Sequence, residues 1–293
     1  MPDRERVPLM LIKILDNSAR HFLDALGPAL EQSVHVEIAV AFASHQGIRL
    51  IEGQARKALV NKSKIEFIVG LDMCTTEPEA IELLQDMKDS YPEQVALYCY
   101  LSPRRNHIYH PKLYLCFGAS SATCIIGSSN LTPGGLKDNI EINVMLVGGL
   151  DEEAITDAHE SYIVLKHNLG RCFIPDNESI ELYRQRYERY RKADRQVTQD
   201  PSFKQLTELL EERANHLPRP SISAKDLRGW LKLIYEALPA GEFTNADVYV
   251  YEPEFKKVYP GNKTIHDKIR QVLQDLAKIG LIKHIDRGRW RKL

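Results

Sequence analysis

Apolar residues along this chain recur at two spacings, and the switch between them marks out the elements. Residues 9–32 place apolar side chains three and four apart, which predicts a helix with a break or kink at Gly27-Pro28. HVEIAVAFAS (35–44) is β-branched and small, reading as a buried strand; the polar Ser44-His45-Gln46-Gly47 then leads into a helix through about residue 60. IEFIVGLD (65–72) repeats the device, with Gly70 at the strand end, and is followed by a helix over 78–90 and a strand, VALYCYLS, over 95–102. HPKLYLCF, TCIIGSS and EINVMLVG complete a set of at least six strands. Near-continuous apolar strands alternating with helices predict an α/β fold, a mixed sheet sandwiched between helices.

Beyond residue 150 the pattern becomes helical. Residues 151–168 read as a helix with an acidic first turn, and 177–195 as a charged helix with Tyr183, Tyr187 and Tyr190 at helical spacing. That tyrosine row is packing, against the sheet or against a partner subunit. Residues 196–223 read as a linker holding a polar helix (203–215) and ending in LPRPSIS, whose two prolines discourage regular structure. Residues 224–293 then read as helix (224–239), a second helix within FTNADVYVYEPEF with Thr244 as its N-cap, and a third opening at Lys263 and ended by Gly280. LIKHIDRGRWRKL closes as a hairpin about Asp286-Arg287-Gly288. Three helices and a hairpin make a winged helix, a helix-turn-helix variant. The expected domains are therefore 1–195, a linker at 196–223, and 224–293.

The candidate chemistry lies between His110 and Glu141. Strand alternation sets His110 and Lys112 on one face with Pro111 pointing away. A His beside a Lys suits an imidazole attacking phosphorus while a cation neutralises a phosphoryl oxygen. The turn Gly127 to Asn130 offers backbone N–H groups, the Ser128 hydroxyl and the Asn130 amide to one oxyanion. Glu141 is placed to accept a ring N–H of a His and fix its tautomer. His266 and Lys268 repeat the H-x-K spacing in an amphipathic helix with no Gly-Ser-x-Asn after it, and read as helix surface. His45, at a strand end, either lines the cleft or is a solvated loop residue.

The ordered set of H-x-K (His110, Lys112), G-S-x-N (Gly127 to Asn130) and a Glu eleven residues after the Asn resembles the phospholipase D superfamily. Its spacing is similar to the branch containing metal-independent restriction endonucleases, over roughly residues 35–150. The resemblance implies catalytic roles for His110, Lys112, Ser128, Asn130 and Glu141, no metal and no cofactor, and a phosphohistidine intermediate. It also implies two H-x-K elements per active site. This chain has one credible copy, so a homodimer with a composite site follows. Many members of the superfamily carry an Asp a few residues after the Lys; here that stretch is the apolar LYLCF, which passes the role to Glu141. The tail is similar to the winged helix of adenine-methylation-dependent and Dam-replacing restriction endonucleases, in DKIRQVLQDL and DRGRWRKL. That implies contact with double-stranded DNA through Lys263, Thr264, His266, Lys268 and Arg270 of the third helix, and Arg287, Arg289, Trp290 and Arg291 of the wing.

Composition narrows the picture. Hydrophobic residues make up 43% and charged residues 27% of 293, ordinary for a globular chain long enough for two domains. No apolar run is long enough to span a bilayer, so no membrane partner is expected, and MPDRERVPLMLIKIL lacks the features of a secretion signal. Five cysteines without a CxxC pair, several within apolar strands, argue against a disulfide framework or zinc site and for a cytoplasmic setting. The net charge of −1 hides an asymmetry: residues 263–293 carry 9 Lys and Arg against 3 acids. A basic end on a mildly acidic body suits a polyanion held at that end. The expected function is a restriction-type DNA endonuclease that cuts phosphodiester bonds without a metal, its site choice aided by the winged helix and sensitive to adenine methylation. A lipid-directed phosphodiesterase and a non-catalytic DNA-binding protein are the alternatives.

Overall fold

The most apolar runs of the sequence become neighbouring strands in the computed structural model, which describes residues 10–18, 21–102, 107–168, 171–217 and 222–293. Two compact units divide the chain at residues 204 and 205. In the first, β1 (Leu11–Leu15) and α1 (Phe22–Glu31) occupy the stretch expected to be one helix. LIKIL alternates along its length and pairs residue for residue with a later strand, so strand pairing overrides the helical spacing read there. Asn17, at a positive φ of 56°, turns the chain and accepts a hydrogen bond from the Phe22 N–H at 2.8 Å. α1 runs on through Gly27-Pro28 without breaking.

β2 (His35–Val40), α2 (His45–Val60), β3 (Lys64–Gly70), α3 (Pro78–Ser90) and β4 (Val95–Tyr100) follow as βαβ units with parallel strands. Ser44 caps α2 by accepting from the Gly47 N–H at 3.0 Å, which explains the polar break after the second strand. β5 (Lys112–Phe117), β6 (Ser121–Gly127) and β7 (Asn143–Gly149) form an antiparallel meander, followed by α4 (Glu153–Lys166), β8 (Cys172–Phe173) and α5 (Asn177–Gln199). The sheet has eight strands in the order β1-β7-β6-β5-β2-β3-β4-β8. This is the expected mixed sheet between helices.

The two faces of the sheet carry separate cores. Val36, Ile38 and Val40 of β2 pack with α1, α2, α3 and α5, and each such buried aliphatic contributes roughly 1.5–3 kcal/mol. Ala39, Leu115 and Cys124 face the other way, against Ile155, Ala158 and Tyr162 of α4. Glu37 lies on that second face, 1% exposed, with His159 Nδ1 at 2.9 Å. Burial raises the Glu37 pKa, and His159 opposes the shift. The tyrosine row resolves as packing: Tyr183 is buried and donates to the Thr76 carbonyl at 2.7 Å, whereas Tyr190 is exposed. The cysteines are free, and burial pushes Cys99, Cys116 and Cys124 up to about 12. No helix among the described residues is long and apolar enough to cross a membrane.

Helix continues through most of the stretch expected as linker, in α6 (Pro201–His216). Residues 218–221 of the proline-containing LPRPSIS lie outside the described residues. The second unit then holds α7 (Gly229–Ala237), β9 (Glu242–Thr244), α8 (Asn245–Tyr249), α9 (Glu252–Val258), α10 (Ile265–Lys278), β10 (Ile282–Asp286) and β11 (Arg289–Lys292). The helix expected across 243–255 is in fact a short strand and two short helices. Thr244 caps the first of these through a reciprocal capping box with Asp247. The wing is three-stranded, in the order β10-β11-β9. Ile265, Ile269, Val272, Leu273 and Leu276 of α10 share one core with Phe255, Phe243 and Trp290.

Candidate active site and DNA-facing surface

Strand order assembles the first site. β5, β6 and β7 are adjacent and antiparallel, so the start of β5, the exit of β6 and the approach to β7 meet at one edge of the sheet. They bring His110 and Lys112, the Gly127–Asn130 turn, and Glu141 to that edge. The end of β2 joins them, because Val40 is the register partner of Lys112.

Lys112 is 7% exposed, and its ammonium lies 2.8 Å from Nδ1 and 3.0 Å from Nε2 of His110. It also donates to the His110 carbonyl at 3.0 Å. Phe42, just past β2, touches both groups: its ring centroid is 5.5 Å from that of the imidazole and 5.5 Å from the ammonium. Burial, then the Lys112 charge, lowers the His110 pKa and favours the neutral, nucleophilic ring. Burial likewise lowers Lys112, opposed by the charge of Glu141.

Asn130 Oδ1 accepts the Phe42 N–H at 3.1 Å, which ties the turn to the end of β2. Gly135 is required beneath it, since a Cβ there would stand 2.3 Å from the Asn130 carbonyl. Ser129 is fully buried and structural: Asn143 holds both its N–H and its hydroxyl. The turn offers fewer backbone donors than its sequence suggests. The N–H groups of Ser128, Ser129 and Leu131 go to Ile142, Asn143 and Phe42.

Glu141 differs from expectation. Its carboxylate accepts from the Ser128 hydroxyl and, at 3.5 Å, from Asn139 Nδ2, and it makes no hydrogen bond to the His110 ring of its own chain. The reason lies in the strand order: β7 borders β6, whose exit turn carries Ser128, and β5 lies one strand further away.

The wing unit separates its candidate residues. Lys263, Thr264 and Arg287 are exposed, and α10 begins at Ile265 with Thr264 as its N-cap. His266 stacks on Tyr249 at 3.9 Å and pairs with Glu252 at 2.9 Å; Arg270 reaches the Tyr249 hydroxyl at 3.0 Å and pairs with Asp267. Lys268 donates to Gln271 at 2.9 Å. Arg289 and Arg291 share one face of β11, both paired with Glu242. Trp290 points oppositely, 6% exposed, with Nε1 donating to Asn245 at 2.8 Å. It is wing core, not the exposed DNA contact expected of it. Between α10 and the wing lies a concavity of about 760 Å³ whose lining includes Arg270, Gln274, Lys278, His284 and Arg287.

The family described as "Cardiolipin synthase, PLD-like domain" matches residues 9–163, more than half of the chain. The chain belongs to the phospholipase D-like family. A second description, "Dam-replacing HTH domain", matches residues 226–292. Among solved structures, the chain is similar to NucT from Helicobacter pylori (18% identity, 53% of this chain and 94% of that one, TM-score 0.41). It is also similar to the phospholipase D family member Nuc from Salmonella typhimurium (12%, 57% and 99%, TM-score 0.43). A third is phosphatidylserine synthase from Haemophilus influenzae Rd KW20 (13%, 66% and 48%, TM-score 0.44).

In this phospholipase D-like domain two supporting residues escape a motif-based reading. One is Phe42. The other is Asp72, whose buried carboxylate accepts the N–H of Ser102 at 2.9 Å and of Tyr109 at 2.7 Å, tying down both ends of the segment that delivers His110. An acid two residues past a glycine-ended strand was the available signal. Gly70 makes room for that segment, since a Cβ there would lie 2.8 Å from the Tyr109 ring. In the helix-turn-helix domain Gln274, Lys278 and His284 were missed, because only their three-dimensional neighbourhood sets them beside Arg287.

Proposed function

We propose that this protein is a DNA endonuclease of restriction type that hydrolyses phosphodiester bonds through a phosphohistidine, without a metal, in a homodimer whose active site is shared. The observation that carries this reading is the meeting of His110, Lys112, Ser128, Asn130 and Glu141 at one sheet edge, in a chain that also carries a helix-turn-helix domain. The match of that second domain to a Dam-replacing family supports DNA, rather than lipid, as the substrate.

A neutral His110 ring nitrogen attacks phosphorus. The N–P bond forms as the P–O bond breaks, and the protonated His110 of the partner subunit gives its proton to the leaving oxygen. The same imidazole then takes a proton from water, whose oxygen attacks phosphorus and releases His110. Lys112 and the Asn130 amide hold the nonbridging oxygens, supplying electrostatically what a divalent cation supplies in other nucleases. Glu141 orders the Ser128 hydroxyl beside them. The winged helix holds duplex DNA through its basic concavity, and the sensitivity to adenine methylation is proposed by analogy with the Dam-replacing type.

The test is cleavage of methylated and unmethylated plasmid in EDTA by the purified protein and by His110→Ala. Cutting that persists in EDTA and vanishes in the variant is expected. An absolute need for added Mg²⁺ contradicts the metal-free chemistry.

A further inference from the structure

Among the described residues, no hydrogen bond joins His110 or Lys112, at the entry to β5, to Ser128 or Asn130, in the turn after β6. The ladder between these strands reaches Leu113 and Ile126 and stops short of both groups. The exit of β2 supplies the connection. The Ala41 N–H donates to the Pro111 carbonyl, between His110 and Lys112 in sequence, at 2.9 Å. The next N–H, that of Phe42, donates to Asn130 Oδ1 at 3.1 Å, and the Phe42 carbonyl accepts from the Leu131 N–H at 3.1 Å. The Ser44 N–H then donates to the Leu131 carbonyl at 3.0 Å, which completes a short parallel bridge between Ala43 and Leu131. Consecutive residues of one segment therefore hold one half of the site each.

The side chains of that segment are unequal. Ala41 and Ala43 are buried methyls, whereas the Phe42 ring meets the His110 ring edge-on, with centroids 5.5 Å apart and planes at 73°. The same ring lies 5.5 Å from the Lys112 ammonium. His110 is exposed, and among the described residues the polar and ring contacts of its imidazole are with Lys112 and Phe42. Each contact is weak, yet together they favour one pose of a ring that solvent would otherwise leave free.

We propose that Phe42 is a positioning residue of the reaction: its backbone is fixed by Asn130 and Leu131, and its ring sets the pose of His110 and the Lys112 ammonium relative to that turn. The inference rests on the reading of His110 as nucleophile and adds the group that aims it. An imidazole attacking phosphorus must stand in line with the leaving oxygen, and small errors in such geometry are costly in rate. Titration carries the same signature. Lys112 acts on His110, and Glu141, from the approach to β7, acts on Lys112; the groups presented by the β2 exit and the β6 turn, Phe42, Ser128 and Asn130, carry no charge. Removing the ring admits water to the pair and loosens the ammonium, and both changes raise the His110 pKa.

The test follows single-turnover cleavage of duplex DNA in EDTA against pH, at saturating and subsaturating DNA. It compares full-length wild type, His110→Ala, Phe42→Leu and Phe42→Ala, with melting temperatures alongside. Phe42→Ala is expected to lower the maximal rate about tenfold or more, with the half-saturating DNA concentration within about twofold of wild type. Its acid limb is expected to move to higher pH. Phe42→Leu keeps apolar bulk without the ring; it should change both in the same direction by less, and it decides the matter should Phe42→Ala not fold. A merely structural role lowers the amount of active protein and leaves the limb in place, so an unmoved limb overturns the proposal whatever the rate. With wild type cutting in EDTA and His110→Ala inactive, that result leaves the phosphohistidine reading standing. Cleavage retained by His110→Ala overturns both.

Discussion

His110-Pro-Lys112 and His266-Asp-Lys268 share a tripeptide pattern in two regions of one molecule, and they end in opposite circumstances. The first precedes and enters a strand, where residues two apart share a face, so the imidazole and ammonium meet at 2.8 Å. Lys112 is buried, and Phe42 packs on both groups. The second lies on α10, where residues two apart point away from each other. There His266 turns to Tyr249 and Glu252, and Lys268 to Gln271. A two-residue spacing brings the two side chains together only where the backbone has period two, and there only Lys112 of the pair is buried.

The contrast is open to experiment. The largest effect is expected from His110→Ala, which should lower the cleavage rate by about a thousandfold or more, whereas His266→Ala should leave single-turnover cleavage of saturating DNA unchanged. Comparable losses in both would erase the distinction. Next, Asn130→Ala should cost about a hundredfold in kcat, as expected for loss of one oxyanion donor, with the melting temperature measured alongside.

The pH profile sharpens the first pair. The His110 pKa is lowered by burial and then by Lys112, so the neutral nucleophile persists below the usual histidine range and the acid limb of the rate profile should lie there too. Lys112→Met removes a positive neighbour, which raises the His110 pKa, and the acid limb should move to higher pH beyond the accompanying loss of rate. An unmoved limb would mean that the two groups are not coupled.

Smaller effects belong to the wing. Arg287→Ala and Lys278→Ala should weaken duplex binding similarly across sequences and flatten its salt dependence, by about one unit of log-log slope for each phosphate no longer neutralised. Trp290→Ala should act on stability instead, costing roughly 3–5 kcal/mol of the second unit because it empties a core position. Normal stability combined with weakened affinity would return Trp290 to the DNA surface. Thr244→Ala, which removes a cap, should cost about 1 kcal/mol by denaturant titration.

The mixed sheet between helices was legible because its strands are apolar enough to be told from the helices around them. Residues 11–15 were not, since LIKIL satisfies both periods and only the pairing of β1 with β7 decides between them. The 243–255 stretch likewise divides because β9 is recruited to the wing by β11, a long-range pairing that local propensity does not encode.

For the candidate site, chain order and residue type by themselves determined which groups are available: a His, a Lys, a Ser, an Asn and a Glu in strand-edge positions. Tertiary structure decided who touches whom. Glu141 meets Ser128 rather than its own His110 because β6 lies between β7 and β5, and Asp72 clamps the approach to His110 from elsewhere in the chain. Trp290 is core rather than surface because alternation on β11 turns it inward while Arg289 and Arg291 face out. Side-chain chemistry and backbone period are local and travel with the sequence. Strand order and burial are long-range, and they set every distance on which the chemistry depends.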